Sequence, residues 1–442
     1  MKLPLMQVVK SRPLVLDTLT TTFWASLGKG AGFLVPLFIA AWFGADSRTD
    51  AFFFSFTAVF MFSNIIGRVI ESAIVPFVVE TVARGESVGE FLGRILGFTT
   101  GGAIAATGLL LAVFLPLLPL ITRFTAEELK MVRRILILIS PLVVLVLDAS
   151  ILSGTLNAVR RFALPAVAPA LRAGVMLAAA FLLKNQLGIY AAAVGYLLGE
   201  LGLFLLLLSA VARVGLRPVR GGGGRAGEFF ATAGQQVLGM GAIGLSQVID
   251  KVMASWLAVT GTISILFYAE WLYNIPVIFL SGGLMVTILS HWSERVYRDQ
   301  GATDGEPARD LVRPMRKALR LVTAVSLLIM IPAVIFLRPI VALTFGRPDF
   351  GAENILNLSR VYLILSVTLL ADMLSLVMTR VCIIYKQTAI IRNLGLLRLS
   401  LKIGFNLLLM PFWGIYGLAV ATVLTHYGSL VYLWRKVPRQ SG

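Results

Sequence analysis

The chain has 442 residues, 58% of them hydrophobic and only 14% charged. A water-soluble protein is about a quarter charged and rarely carries apolar runs beyond ~12 residues. Runs of twenty or more recur here from end to end, which excludes a soluble enzyme, and their continuity excludes an outer-membrane barrel, whose strands alternate. Basic residues outnumber acidic ones 39 to 22, a net charge of +17. They gather in short loops between apolar segments, the positive-inside pattern, with attraction to anionic headgroups as a consequence. No basic domain is present to hold nucleic acid. Cys382 is the single cysteine, so no internal disulfide forms, and with His291 and His426 it cannot build a zinc site.

A spanning helix needs about 20 apolar residues. On that scale twelve are expected, at 16–43, 51–79, 92–121, 133–157, 163–184, 187–212, 230–258, 263–290, 318–338, 357–381, 388–411 and 414–435. The first follows Lys2, Lys10 and Arg12 but far exceeds the ~7–15 apolar residues of a signal peptide, so it is an uncleaved anchor. Placing the N-terminus inside makes 80–91, 158–162, 213–229, 291–317 and 382–387 cytoplasmic. Of these, 213–229 carries four arginines around Gly221–Gly224, and 291–317 carries Arg295, Arg298, Arg309, Arg313, Arg316 and Lys317. The opposite loops are poorer in Lys and Arg, apart from Arg123 and Lys130 in 122–132. Both termini are therefore cytoplasmic. No loop is long enough to fold as a catalytic domain, and no nucleophile–base pair or metal set can be named, so the chain is not an enzyme. The glycine run lacks the strand, the helix and the Lys-Ser/Thr of a phosphate loop and serves as a linker.

That linker, 214–229, divides the chain into an N-terminal lobe (1–213, helices 1–6) and a C-terminal lobe (230–442, helices 7–12). The halves echo each other. Gly188-Ile189-Tyr190 recurs as Gly414-Ile415-Tyr416, and the same spacing of 226 residues carries Arg172 onto Arg398 and Ala193-Val194 onto Ala419-Val420. Asp148 and Asp372 stand 224 apart. Six is even, so the repeats are parallel. The fold class is an all-α polytopic membrane protein with about twelve transmembrane helices in two parallel six-helix lobes. Secondary transporters use such repeats, with substrate between the halves.

Ionisable groups at mid-membrane cost ~2.5–3.5 kcal/mol each on insertion scales and normally face a cavity or a partner. Helix 1 carries Lys29 among glycines. Helix 2 carries Arg68 and Glu71, spaced i, i+3 so that they share a face and can neutralise each other. Helix 7 carries Asp250 and Lys251, helix 8 Glu270, and helix 11 Arg398 and Lys402. A structural ion pair or a snorkelling side chain accounts equally well for any one of them. Together, Lys29, Arg68 and Lys251 in the leading helices of each half point to a basic cavity suited to a diphosphate or carboxylate, with Arg as a planar fork and Lys as a point charge. Asp148 and Asp372 suit proton or sodium sites, although for Asp148 a hydrogen bond to a neighbouring helix is the favoured explanation. Gly28, Gly30, Gly32 and Pro36 would let helix 1 bend.

Two stretches resemble a known family. Phe43-Gly44-Ala45 followed by Thr49-Asp50-Ala51-Phe52-Phe53, and Ser153-Gly154-Thr155-Leu156-Asn157 followed by Phe162-Ala163-Leu164-Pro165-Ala166 and Pro169, are similar to the MurJ/MviN lipid II flippases of the MOP exporter superfamily. Asp250 and Tyr268-Ala269-Glu270 with Pro276 follow the same pattern. The resemblance implies a MATE-like fold in the bacterial inner membrane. It implies export of a polyprenyl-diphosphate-linked saccharide by alternating access, with Asp50 joining Lys29, Arg68, Glu71, Asp250, Lys251, Glu270 and Arg398 as candidate substrate contacts. It implies no cofactor, coupling to sodium, protons or the membrane potential through Asp148, Asp372 or Lys402, and membrane lipids and envelope glycan synthesis proteins as neighbours. The chain departs from the family at Val35, at Gly67-Arg68 and at Glu270-Trp271, where cavity arginines are expected. Many members also carry two further helices. Lipid II and a related envelope glycan unit therefore both remain open as cargo, and Trp271 could stack on a sugar or pack in the core. Organic-cation antiport, favoured by Asp250, Glu270 and Asp372, is the alternative within the superfamily. A scaffold docking through 291–317 is the alternative outside transport.

Overall fold

Residues 14–219, 226–277, 312–346, 350–384 and 387–436 are described in the computed structural model; the side chains of 14–27, 29, 235, 236, 238, 239, 242, 243, 312–314, 338, 383, 384 and 388 lie outside the described set. All secondary structure in these residues is helical, as lipid demands, because a helix satisfies its backbone polar groups internally. In chain order the helices are α1 (Leu14–Phe43), α2 (Ser47–Ala83), α3 (Val88–Ile121), α4 (Ala126–Ala158), α5 (Ala163–Leu187), α6 (Tyr190–Arg213), α7 (Ala226–Ser255) and α8 (described over 262–277). They continue with α9 (Val312–Ile335), the short α10 (Leu337–Phe345), α11 (Ala352–Cys382) and α12 (Thr388–Lys436). Among the described residues eight helices are long and apolar enough to cross a membrane. With 49 residues α12 is more than twice the required length, and Gly414 breaks it into two spans, α12a and α12b. Each of the twelve expected spans falls on one of these helices, the eighth only as far as residue 277. Most of the 291–317 loop and the glycine run lie outside the described residues.

The turns explain themselves from sequence. Gly44, at φ +67°, closes α1, and Asp46 then caps α2 by accepting from the backbone N–H groups of Arg48 and Thr49 at 2.9 Å, while its own N–H donates to Thr49 Oγ1 at 2.8 Å. This capping box starts the second helix at Ser47 rather than at the expected residue 51. Inside α2 a π-helical turn occupies Thr57–Met61. Gly188 (φ +55°, ψ −135°) separates α5 from α6, and Gly414 (φ +55°, ψ −130°) separates α12a from α12b. Side chains strongly disfavour that backbone region, so the repeated Gly-Ile-Tyr marks one turn used twice.

The chain forms two compact units, Met1–Ala258 and Val259–Gly442. In the first of these, α7 packs on α2 and α3. Gly244 of α7 meets Phe62 and Ile65 so closely that a Cβ there would stand 3.0 Å from Ile65.

Within the first unit α2 is central, 72% of its most apolar stretch being buried, whereas only 11% of that of α3 is. Phe98, Leu109 and Leu120 of α3 project outward as lipid-facing side chains. Lipid offers no hydrophobic drive between helices, so close approach of small residues does the work. A Cβ on Gly199 of α6 would lie 2.6 Å from the Arg172 carbonyl of α5, and one on Gly154 of α4 would lie 2.5 Å from the Glu71 carbonyl of α2.

Candidate functional site

The first unit contains a cavity of about 140 Å³ walled by α2, α4, α5 and α6, with Asn64, Glu71, Ser150, Ser153, Arg172 and Glu200 among its lining. Glu71 accepts hydrogen bonds from Ser153 Oγ at 2.6 Å and Asn157 Nδ2 at 3.0 Å. These donors sit one turn apart on α4, and Gly154 between them brings the α4 backbone against α2. The Ser153–Asn157 motif is thus a clamp on the Glu71 carboxylate. Arg68 does not close on Glu71 as the i, i+3 spacing suggested. It is exposed on α2, and its charge acts on Glu71 without an ion pair.

Across the cavity Arg172 donates to Glu200 Oε2 at 3.2 Å, with its guanidinium 5.1 Å from the centre of the Phe60 ring. The Glu200 side chain is only 3% exposed, so this is a buried pair. Phe52, Phe56, Phe60 and Tyr196 stack beneath it. Asp148 is buried and accepts from Thr100 Oγ1 of α3 at 2.7 Å. Asp50, Asp250 and Lys251 are buried in the same unit and engaged by neighbours; Lys251 is 1% exposed, among the most deeply buried large side chains. An ammonium so placed persists only with compensating partners.

The second unit assembles a different cluster. Asp372 of α11 accepts from the Tyr273 hydroxyl of α8 and contacts Nδ1 of His426 on α12b. Arg398 of α12a reaches within 3.9 Å of the same carboxylate, while its Nε donates to Ser429 Oγ at 3.1 Å. Lys402, one turn further along α12a, donates to Thr422 of α12b. Glu270 is half-buried and engaged by neighbours. Trp271 stands edge-on to Phe345 at 6.4 Å, in an aromatic group with Tyr268 and Phe350, which is core packing rather than a sugar platform.

Of the residues singled out from sequence, Asp372 and Arg398 are brought together, Arg68 and Glu71 interact through their charges without an ion pair, and the Lys29 side chain lies outside the described residues. Sequence reasoning missed Glu200, Tyr273 and His426. The internal repeat held the signal for two of them, because the spacing that carries Arg172 onto Arg398 also carries Glu200 onto His426.

Similarity to known proteins follows the whole chain. The Haemophilus influenzae protein described as a probable lipid II flippase is 23% identical over 428 residues, covering 92% of this chain and 83% of that one. The Aquifex aeolicus counterpart is 25% identical over 431 residues, covering 92% and 80%. Among solved structures, a lipid II flippase in an inward closed conformation superposes with a TM-score of 0.79 at 18% identity, over 96% of this chain and 87% of that one. An inward-facing multidrug transporter of the MATE family superposes at 0.74 with 12% identity, covering 93% of each chain. At such identities the structural likeness establishes the fold: two parallel six-helix repeats of the MOP type. The sequence family described as lipid II flippase MurJ matches residues 39–442. A match running from the end of α1 through every later helix places this multi-pass membrane protein in the MurJ lipid II flippase family.

Proposed function

We propose that the chain flips a polyprenyl-diphosphate-linked saccharide of the lipid II type across the bacterial cytoplasmic membrane by alternating access, with both termini in the cytoplasm. The family match over 39–442 carries this reading. The intramembrane charge supports the substrate class. Lys251 is a basic residue held deep in the first unit, and Arg68 is a second basic residue on a central helix, partly exposed. A diphosphate is recognised by such groups through charge-assisted hydrogen bonds. In this reading Arg68 and Lys251 hold the diphosphate, aided by Lys29, and the carboxylates Asp50, Glu71 and Asp250 keep the basic residues oriented. The drive comes from an ion gradient or the membrane potential. Organic-cation antiport, with the MATE-like fold and the carboxylates Asp250, Glu270 and Asp372 in its favour, has no family match behind it.

The test is reconstitution of the full chain in vesicles with fluorescent lipid II, scored by a quencher that cannot cross the membrane. Exchange between leaflets is expected, reduced about tenfold or more by Arg68→Ala or Lys251→Ala, as loss of a charge-assisted contact of ~1.5–3 kcal/mol implies. Unchanged exchange in both variants would remove the site assignment, and no exchange in the parent protein would remove the flippase reading.

A further inference from the structure

We propose that His426 and Asp372 form a proton-binding site in the second unit, whose occupancy switches Asp372 between His426 and Arg398 and thereby couples flipping to a pH gradient. The coupling rests on the flippase reading above; the proton site does not. Four spans meet at one carboxylate: Tyr273 from α8, Asp372 from α11, Arg398 from α12a and His426 from α12b. Among the described residues these three partners are the titratable and charged groups that act on Asp372. Lys402, one turn along α12a, is turned to Thr422. A carboxylate facing Nδ1 calls for a hydrogen on that nitrogen, so the exchangeable proton enters and leaves at Nε2.

The charges then differ by one between two states. With a neutral imidazole, Asp372 and Arg398 cancel each other. With an imidazolium the site carries one net positive charge, and two cations compete for one carboxylate. Arg398 is placed for that competition, because its Nε already has an alternative acceptor in Ser429 of α12b, while its terminal nitrogen waits 3.9 Å from Asp372. Gain of a proton favours Asp372 with His426, drawing α11 toward α12b; loss favours Asp372 with Arg398, drawing α11 toward α12a. Gly414, the break between these two helices, is the natural pivot. The side chains of His426 and Arg398 are 21% exposed and that of Asp372 is 17% exposed, so the cluster lies near the surface of its helices rather than in the sealed core. In the first unit the position of the imidazole is taken by Glu200, in direct contact with Arg172.

Two measurements test this. In the first, the full chain with His291→Gln is labelled with ¹⁵N-histidine in nanodiscs, leaving His426 as its only imidazole. One titration between pH 5 and 9 is expected, displaced by about one pH unit or more in Asp372→Asn; an imidazole that does not titrate, or is indifferent to Asp372, overturns the site. The second uses the vesicles with fluorescent lipid II. A gradient of one pH unit should shift the leaflet ratio by up to about tenfold for one proton per cycle. His426→Gln should abolish that shift while exchange at equal pH stays within about twofold. A gradient response that persists in His426→Gln, or is missing from the parent protein, overturns the coupling. A parent protein that moves no lipid II at all removes the flippase reading and the coupling built on it, and leaves the proton site to the titration alone.

Discussion

The two units treat the same pair of positions differently. In the first, Arg172 and Glu200 face each other across α5 and α6 at 3.2 Å, one cation and one anion, each supplying the other's compensation. In the second, the arginine is kept as Arg398, but His426 stands where the carboxylate was, and the negative charge comes from Asp372 on α11. A buried pair of two has no redundancy. A carboxylate with three partners has a great deal, and one of those partners can change its own charge. Duplication thus leaves one copy as a fixed brace and frees the other to respond.

That contrast breaks most visibly on removing single partners. Arg172→Leu strands Glu200, whose side chain is 3% exposed, and should cost about 3 kcal/mol or more, the usual penalty for an uncompensated buried charge. The double variant Arg172→Leu/Glu200→Leu should recover most of that loss, because a buried pair replaced as a whole by apolar side chains is often neutral. His426→Gln should cost about 1 kcal/mol or less, since Tyr273 and Arg398 remain on Asp372. Thermal unfolding in detergent measures all three. Equal losses in Arg172→Leu and His426→Gln would show that the second cluster is as rigid as the first.

The turns sharpen the comparison from the other side, because there the repeats should behave alike. Gly188→Ala and Gly414→Ala each force a side chain into a backbone region reserved for glycine, and each should lose about 1–3 kcal/mol. If Gly414 is also the pivot, only its substitution should slow lipid exchange beyond the effect on stability. Equal slowing in both variants would assign the glycine to folding alone.

The extent of this architecture legible in sequence follows from the physics of each signal. Helices were legible because lipid imposes a length of ~20 apolar residues, and among the described residues every expected span fell on a helix. The repeat was legible through Gly188 and Gly414, where one dihedral pair admits glycine and little else. The pairing of charges was not. Arg68 and Glu71 share a face by spacing, yet Ser153 and Asn157 on α4 present two donors to Glu71 at 3.0 Å or less, a tertiary contact that no spacing within α2 encodes. The packing of α7 on α2 was hidden for a similar reason, since it depends on Gly244 meeting Phe62 and Ile65. Composition records where charge is placed along the chain; which helix answers it is settled by crossings between helices distant in sequence.

The smallest expected effect concerns those same donors. Ser153→Ala removes one of two hydrogen bonds to Glu71 and leaves Asn157 in place, so a loss of about 0.6 kcal/mol is expected, the average for interhelical hydrogen bonds in membranes. Asn157→Ala should match it. If the carboxylate needs both donors, the double variant should lose more than the two singles together, because the last donor removed leaves a buried acceptor unsatisfied. Simple additivity would instead mean that another group, with Arg68 three residues away as the nearest charge, takes over when the α4 clamp is gone. In that case the two units would share the redundancy that separates them above, and Glu71 would stand beside Asp372 as a carboxylate able to change partners.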